Sequence, residues 1–589
     1  MPSFSSVLGK FLIWRVKHIP QRQFILILSV LVGLITGLVA VTLKNTVHLI
    51  QEFISSSSWH QVYYFVFPVI GIFIVVAIKR FYSEPIGEGI PSTLFAISRR
   101  NGFLKPYKMY ASVITSAITV GMGGSVGLEG PTVSTGSAIG SNLAKMMHLN
   151  YKSRILLISC ATAGAIASIF NAPIAAIIFT LEIFSLDLTL TSLVPLLLAS
   201  VSGAVTSIFI SDKNDYLFNF EVVDAFDVND VPAYIGLALL CALGSIYFHK
   251  MYFLIERFFE FLGKYKLKAV VGGVLLGLII FLVPPLYGEG YETINALLNG
   301  HENRIIELSF FGEYATNVYL VMALLLGLVL LKVFATSLTM NAGGVGGIFA
   351  PTLFMGAVLG YLYAKAVNTF QMLEGLSTSN FALAGMAGLM AGVLHAPFTA
   401  VFMIAEISGG YKLFLPIMIT STLAYLFTKT VTPYSIYTLQ LAKKGDLITH
   451  NKDQAILTLM TIEPVIESGF IVVKSDMMLR DLVDIFKRSS RNIYPVVDDE
   501  QKLVGVLTLD DFKQLLFDSS YHDKIAVSDL MLAPPAIIER KDNMAEVMQK
   551  FQGTGAWNLP VVEDEKYVGF ISKSKLFSAY RRKLIEVSD

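Results

Sequence analysis

Charge is scarce in this sequence. Asp, Glu, Lys and Arg make up 15% of its 589 residues, where a soluble domain carries about a quarter. That deficit excludes a chain made only of water-soluble domains, and a mean hydropathy of +0.63 points to extensive contact with lipid. An excess of one sign is also missing. The net charge of +1 argues against a nucleic-acid partner, which calls for a strong basic excess. Cysteine is nearly absent too. Cys160 and Cys241 both lie in apolar stretches, so no disulfide framework is implied.

What is abundant is apolar sequence. The first long run, residues 24–43, follows Lys10, Arg15, Lys17 and Arg22. It is longer than a signal-peptide core and long enough to span a bilayer, and the basic residues before it predict a cytoplasmic N-terminus. Apolar segments continue to about Leu439, but many, such as 172–184 and 397–407, are too short to cross and are broken by Gly and Pro. Backbone that leaves the helix at membrane depth must be buried in protein or line a wet cavity, which makes such segments pointers to a transport site.

An internal repeat organises these segments. Gly124-Ser125-Val126-Gly127-Leu128-Glu129-Gly130-Pro131-Thr132 returns as Gly344-Val345-Gly346-Gly347-Ile348-Phe349-Ala350-Pro351-Thr352. Gly136 and Gly140 return as Gly356 and Gly360, Ala172-Pro173 as Ala396-Pro397, and Glu182-Ile183 as Glu406-Ile407. Two homologous halves predict a transporter built around a shared midplane site, with the halves inverted or parallel. After Leu439 the composition changes, and a second repeat begins. Tyr494-Pro495-Val496-Val497 and Gly505-Val506-Leu507-Thr508 return as Leu559-Pro560-Val561-Val562 and Gly569-Phe570-Ile571-Ser572. Each unit reads as strand, helix, strand, strand, helix, which predicts a paired soluble α/β module. The expected organisation is an N-terminal segment 1–23, an all-α membrane domain with broken helices over 24–440, a linker 441–459, and α/β units over 460–518 and 527–587.

An anion inside a membrane needs positive potential without a permanently buried charge. Helix N-termini supply it through unpaired N–H groups and the macrodipole. Glycines let backbone approach the ion, and Pro in the first turn lacks the N–H that would be unpaired. Three stretches have this form: Gly87-Glu88-Gly89-Ile90-Pro91, Gly127-Leu128-Glu129-Gly130-Pro131, and Gly347-Ile348-Phe349-Ala350-Pro351. Glu129 breaks the repeat, because its counterpart is Phe349. As an acid in a first helical turn it suits the dipole, but an ionisable group in lipid is also a functional candidate. A carboxylate beside an anion site can occupy that site and vacate it when protonated. Glu182 and Glu406 recur in both halves, which predicts a shared structural role such as bonding exposed backbone.

With these stretches standing at its GSGIP, G(K/R)EGP and GxFxP positions, and Phe170-Asn171-Ala172-Pro173 at another family segment, the sequence resembles the CLC family of chloride channels and chloride/proton exchangers. The resemblance covers nearly the whole chain, including a C-terminal pair that looks like two CBS units. It implies inverted halves, a homodimer with one pore per subunit in a lipid bilayer, chloride as substrate and a gating role for Glu129. The family's anion-binding positions map to the three stretches and to a tyrosine near the start of the last membrane helix. Here that tyrosine falls around Pro433-Tyr434-Ser435-Ile436-Tyr437. Tyr434 is the neighbouring candidate, with Tyr437 a turn later.

The departures set further expectations. Ile183 occupies the position that is acidic in many exchangers, which favours channel-like, voltage-gated conduction over antiport. Glu88 stands where chloride-handling members have Ser. It either faces cytoplasmic water or replaces the inner proton acceptor missing at Ile183. Pro131, where fluoride exchangers of the family carry Thr, disfavours fluoride, and nothing at position 88 supports nitrate. In the CBS pair, Gly505, Thr508 and Asp511 fit a nucleotide-binding pattern, while Lys575 interrupts it in the second unit. An adenine nucleotide at Thr508 and Asp511 and a purely structural pair stand level. No cofactor is required and no enzymatic activity is expected. A remote alternative is an intramembrane serine hydrolase built on Ser125, in a Gly-x-Ser-x-Gly setting, and His395. The short N-terminus and compact linker read as a prokaryotic membrane protein with both termini cytoplasmic.

Overall fold

A computed structural model describes residues 4–56, 63–82, 86–87, 89–184, 189–211, 218, 226–302, 305, 317–373, 375–439, 442, 457 and 459–588. The chain divides into two compact units, 1–444 and 445–589. The first is helical. After α1 (Phe4–His18) come α2 (Gln21–Ser55), α3 (Tyr63–Lys79), α4 (Gly89–Arg99), α5 (Lys108–Gly121), α6 (Glu129–Met146), α7 (Tyr151–Phe170), α8 (Pro173–Phe184) and α9 (Leu190–Ile210). A matching series follows: α10 (Val231–Leu262), α11 (Tyr265–Leu282), α12 (Tyr291–Leu298), α13 (Val318–Asn341), α14 (Phe349–Thr369), α15 (Thr378–Leu394), α16 (Pro397–Ile407) and α17 (Phe414–Val431). Among the described residues, eight helices are long and apolar enough to cross a membrane. On α11, Val270, Val274, Leu278 and Leu282 are exposed at four-residue spacing, an apolar stripe of the kind that faces lipid.

The sequence repeat is a structural repeat, and its contacts are reciprocal. In α6, a side chain on Gly136 or Gly140 would strike the carbonyls of Ala161 or Leu157 on α7. In α14, Gly356 and Gly360 meet Gly385 and Phe381 on α15 in the same way. With little hydrophobic drive between helices in lipid, such close backbone approach supplies packing instead. Helices α7 and α15 both end in a left-handed residue, Asn171 at φ 53° and His395 at φ 56°, just before Ala-Pro. The proline then starts the next helix, where its missing N–H costs nothing.

The short helices α8 and α16 show how the halves are related. At 12 and 11 residues each is about 17 Å long, well short of a bilayer core of about 30 Å. An end buried at membrane depth needs acceptors for its amides. Glu182, near the end of α8, accepts from the amides of Phe398 (3.1 Å) and Thr399 (2.7 Å) and from the Thr399 hydroxyl (2.5 Å) at the start of α16. Glu406, near the end of α16, accepts from Ile174 (3.1 Å) and Ala175 (2.7 Å) at the start of α8. The end of each helix meets the start of the other, so the two run antiparallel and the halves are inverted. Both glutamates bond exposed backbone, as their recurrence predicts.

The second unit contains two three-stranded sheets of identical design. In the first, β1 (Val473–Lys474) runs parallel to β2 (Ile493–Val497), which pairs antiparallel with β3 (Leu503–Thr508). In the second, β4 (Ile538–Glu539), β5 (Asn558–Glu563) and β6 (Lys566–Ser572) repeat the order and directions. Their registers shift at equivalent places, Val496/Val497 and Val561/Val562. Helices α18 (Leu479–Arg488) and α19 (Leu509–Phe512) belong to the first unit, α20 (Val527–Leu530) lies between, and α21 (Met544–Thr554) and α22 (Lys573–Ser588) complete the second. Phe470, Val506 and Phe570 form a small core of their own, into which both sheets put a residue.

Candidate functional site

The turns before α6 and α14 are built alike. Gly123 (φ 97°) and Gly343 (φ 110°) take conformations that L side chains rarely adopt. Gly124 and Gly344 then donate to the carbonyls of Thr119 (2.7 Å) and Thr339 (2.9 Å). The next residues bond across the repeat, Ser125 N–H to the Thr339 hydroxyl at 3.2 Å and Val345 N–H to the Thr119 hydroxyl at 3.0 Å. Gly127 and Gly347 close the exchange by pairing with each other, N–H to carbonyl at 2.9 and 2.7 Å. Each glycine bonds its own counterpart, which puts this pair on the pseudo-two-fold axis.

The third stretch joins them. A Cβ on Gly89 would lie 3.3 Å from the Gly130 carbonyl, one on Gly130 would lie 3.1 Å from Cα of Gly347, and one on Gly87 would lie 2.8 Å from the Val345 side chain. The starts of α4, α6 and α14 therefore converge, with Ile90, Leu128, Ile348, Phe349 and Ala350 all buried. Pro91 is partly buried in the first turn of α4. Glu88 lies outside the described residues.

Glu129 sits at the centre and is 1% exposed. Its Oε1 accepts from the amides of Phe349 (2.6 Å) and Ala350 (3.2 Å) at the start of α14. Its Oε2 has no hydrogen-bond partner among the described residues. The carboxylate fills the space over the paired glycines, since a methyl group on Gly127 or Gly347 would collide with it. The ring of Phe349 packs on Phe170 with centroids 4.9 Å apart, which brings in the Phe170-Asn171-Ala172-Pro173 segment. A helix start with free amides and a positive dipole end is an anion receptor. Here the anion it holds is a side chain.

The two candidate tyrosines have different surroundings. Tyr434 is 42% exposed, whereas Tyr437 is 7% exposed and lies within electrostatic reach of Glu129. Its hydroxyl has no hydrogen-bond partner among the described residues. The reason is local. α17 stops at Val431, and bonds between Ser435 and Thr438 fold the following segment into a turn that buries Ile436 and Tyr437 and leaves Tyr434 outside. Ile183 is half-buried on α8 beside Glu182.

Two ionisable residues escaped the sequence reading. Lys332, midway along α13, is completely buried, and its ammonium donates to the carbonyls of Gly288 (3.1 Å) and Glu289 (3.4 Å). It also stands over the Phe354 ring at 4.7 Å. Glu289 accepts from the Leu128 amide at 3.2 Å, one residue before Glu129. Their signal was present, because a lysine inside an apolar 24-residue helix is a functional candidate by default.

The serine-hydrolase alternative finds no support. The Ser125 hydroxyl donates to the Leu286 carbonyl at 2.7 Å, and the ring neighbours of His395 are His249 and Tyr425. Helix α5, where a nucleophile elbow would need a strand, leads into the Ser125 turn. In the second unit, Asp511 Oδ2 accepts from the amide (2.6 Å) and hydroxyl (2.7 Å) of Thr508, capping α19. At the equivalent place Ser572 donates to Glu467 at 2.6 Å, and Glu467 also pairs with Arg491 at 2.9 Å.

Residues 70–429 match the family model described as voltage gated chloride channel, and residues 459–518 and 527–582 match the CBS domain. The H(+)/Cl(-) exchange transporter ClcA of Vibrio cholerae serotype O1 (strain ATCC 39541) is 27% identical over 437 residues, which cover 70% of this chain and 88% of the relative. Chloride channel protein CLC-f of Arabidopsis thaliana is 26% identical over 573 residues, 85% of this chain and 70% of the relative. Among solved structures, a slow cyanobacterial Cl-/H+ antiporter aligns with a TM-score of 0.60 at 22% identity, over 74% of this chain and 100% of the other. A eukaryotic CLC transporter aligns at 0.59 and 18% identity, over 94% and 97%. The structural likeness establishes the fold, the family match runs through more than half of the chain, and this protein therefore belongs to the voltage gated chloride channel (CLC) family, as a chloride-transporting membrane protein that carries a CBS pair.

Proposed function

We propose that this protein exchanges chloride for protons across its membrane, with Glu129 alternating between the anion's place and solvent. The carrying observation is the Glu129 carboxylate on the amides of Phe349 and Ala350. One anion must leave those amides before another can bind. A neutral carboxylic acid holds them less well than a carboxylate, so protonation favours departure and chloride entry favours retention of the proton. That competition couples the movement of the two ions, and relatives named H(+)/Cl(-) exchange transporters support opposed directions. Chloride in this reading is bound by amides at the starts of α4, α6 and α14 and by the Tyr437 hydroxyl.

This replaces the channel-like expectation that rested on Ile183. The apolar residue removes one inner proton acceptor but leaves the Glu129 competition intact, and relatives such as that of Vibrio cholerae are named exchange transporters. Glu88 is the proposed substitute acceptor. Unchanged proton movement in Glu88→Ser would end that role. The basic residues before α2 support a cytoplasmic N-terminus, and assembly as a homodimer with one pore per subunit belongs to the same reading.

The test is flux through purified protein in liposomes, with chloride and protons recorded together. Antiport predicts a reversal potential that moves with the pH gradient. A potential fixed at the chloride Nernst value across all pH gradients is a channel's behaviour and overturns the proposal.

A further inference from the structure

The two facing helix starts each hold a carboxylate. α14 holds Glu129, and the Leu128 amide, at the start of α6, holds Glu289. Glu289 comes from the segment between α11 and α12, fixed there by the Lys332 ammonium on the carbonyls of residues 288 and 289. Gly290 (φ 91°) leaves room for this, since a side chain there would strike the Phe354 ring on α14 and come within 3.5 Å of the Lys332 nitrogen. The same segment is tied to the pore turn by the Ser125 hydroxyl on the Leu286 carbonyl. The ionisable groups facing Glu289 are Glu129 from α6, Lys332 from α13, Lys44 from α2 and Tyr291 from α12. Glu289 touches the residue next to Glu129.

Resting on the exchange reading above, we infer that Glu289 is a positioning residue that sets the pH at which Glu129 gives up the amides of Phe349 and Ala350. Two carboxylates in one poorly hydrated place resist being ionised together. A negative charge on Glu289 makes Glu129 take a proton more readily, and the Lys332 ammonium opposes that effect. Glu289 needs no contact with the transported anion to do this. It acts through the field, and the bond to Leu128 holds its charge at a constant place.

The experiment is chloride flux through full-length protein in liposomes over a series of symmetric pH values. Glu289→Gln keeps the shape and a hydrogen-bond acceptor but removes the charge. The midpoint of the pH profile then moves to more acid pH by about one unit. Lys332→Met moves it the opposite way, and Lys332→Arg, which keeps the charge, restores the parent midpoint and controls for folding. In a Glu129→Ala background, Glu289→Gln moves nothing. A Glu289→Gln profile that superposes on the parent overturns the inference, as does a displacement that persists without Glu129. Failure of the underlying reading looks different, because Glu129→Ala alone would then keep the parent pH dependence.

Discussion

The two halves of the membrane unit share a backbone and differ in their chemistry. Paired turns at Gly123 and Gly343, crossed threonine bonds from Thr119 and Thr339, and exchanged glutamates at Glu182 and Glu406 all obey the pseudo-two-fold. At one position the symmetry fails. Glu129 reaches across to α14, while its counterpart Phe349 packs on Phe170. What is repeated holds the structure, and what is not repeated can act as a switch.

The largest effect is expected where the halves differ. Glu129→Ala makes the first half as inert as the second, and coupled proton movement falls below detection while chloride still passes. Simultaneous recording of both ions checks this, and proton transport that stays coupled in the variant would contradict it. Glu182→Ala and Glu406→Ala probe what the halves share. Each strips the acceptor from two amides, with a hydroxyl added at Glu182, and each is expected to destabilise by up to about 3 kcal/mol. Thermal unfolding in detergent should rank the two together. If one abolishes proton coupling and the other does not, the symmetric role is wrong.

Gly347→Ala sits where shared scaffold and switch meet. Its methyl group would collide with the Glu129 carboxylate, and the flanking bridge to Gly127 leaves little room to move. A cost of about 1–2 kcal/mol is expected from overcrowding. Glu129→Ala should relieve part of it and leave the 2.8 Å approach to the Gly130 amide nitrogen, so unfolding of the double variant measures how much of the crowding is the carboxylate's own. Equal costs in both backgrounds would locate the strain in the backbone.

These contrasts also show which features the sequence could reveal. Gly/Pro stretches that start helices, the repeat and the recurrence of Glu182 and Glu406 are local patterns, and local patterns are legible. The inversion of the halves was open because periodicity carries no direction. It takes the crossed bonds of α8 and α16 to fix it. Spacing alone does not rank Tyr434 against Tyr437, because a turn after α17, held by Ser435 and Thr438, decides which ring is buried. Glu289 and Lys332 were missed for a related reason. They lie 43 residues apart, and no spacing rule joins them to a carboxylate that precedes both by more than a hundred positions.

The smallest expected effect concerns the CBS pair, where two equivalent strand ends also differ. Thr508 is held by Asp511 three residues on, within its own helix cap, whereas Ser572 is held by Glu467, which also pairs with Arg491. The Ser572 hydroxyl foremost, and then Arg491, hold the Glu467 carboxyl below the usual carboxylate range against the opposing effect of burial. A carboxyl depressed on folding adds stability above its unfolded value of about 4.3 and loses it as pH falls through the folded value. Glu467→Gln removes that dependence and, with Arg491 half-exposed, costs less than about 1 kcal/mol at neutral pH. Hydrogen exchange of the β6 amides in the full chain reads it out. Relative to the intrinsic exchange rate at each pH, acid should lower the protection of these amides in the parent through loss of this pair, and less so in the variant. Identical acid sensitivity in both would mean that the Ser572 bond carries no charge-dependent stability, leaving the two strand ends energetically alike despite their different partners.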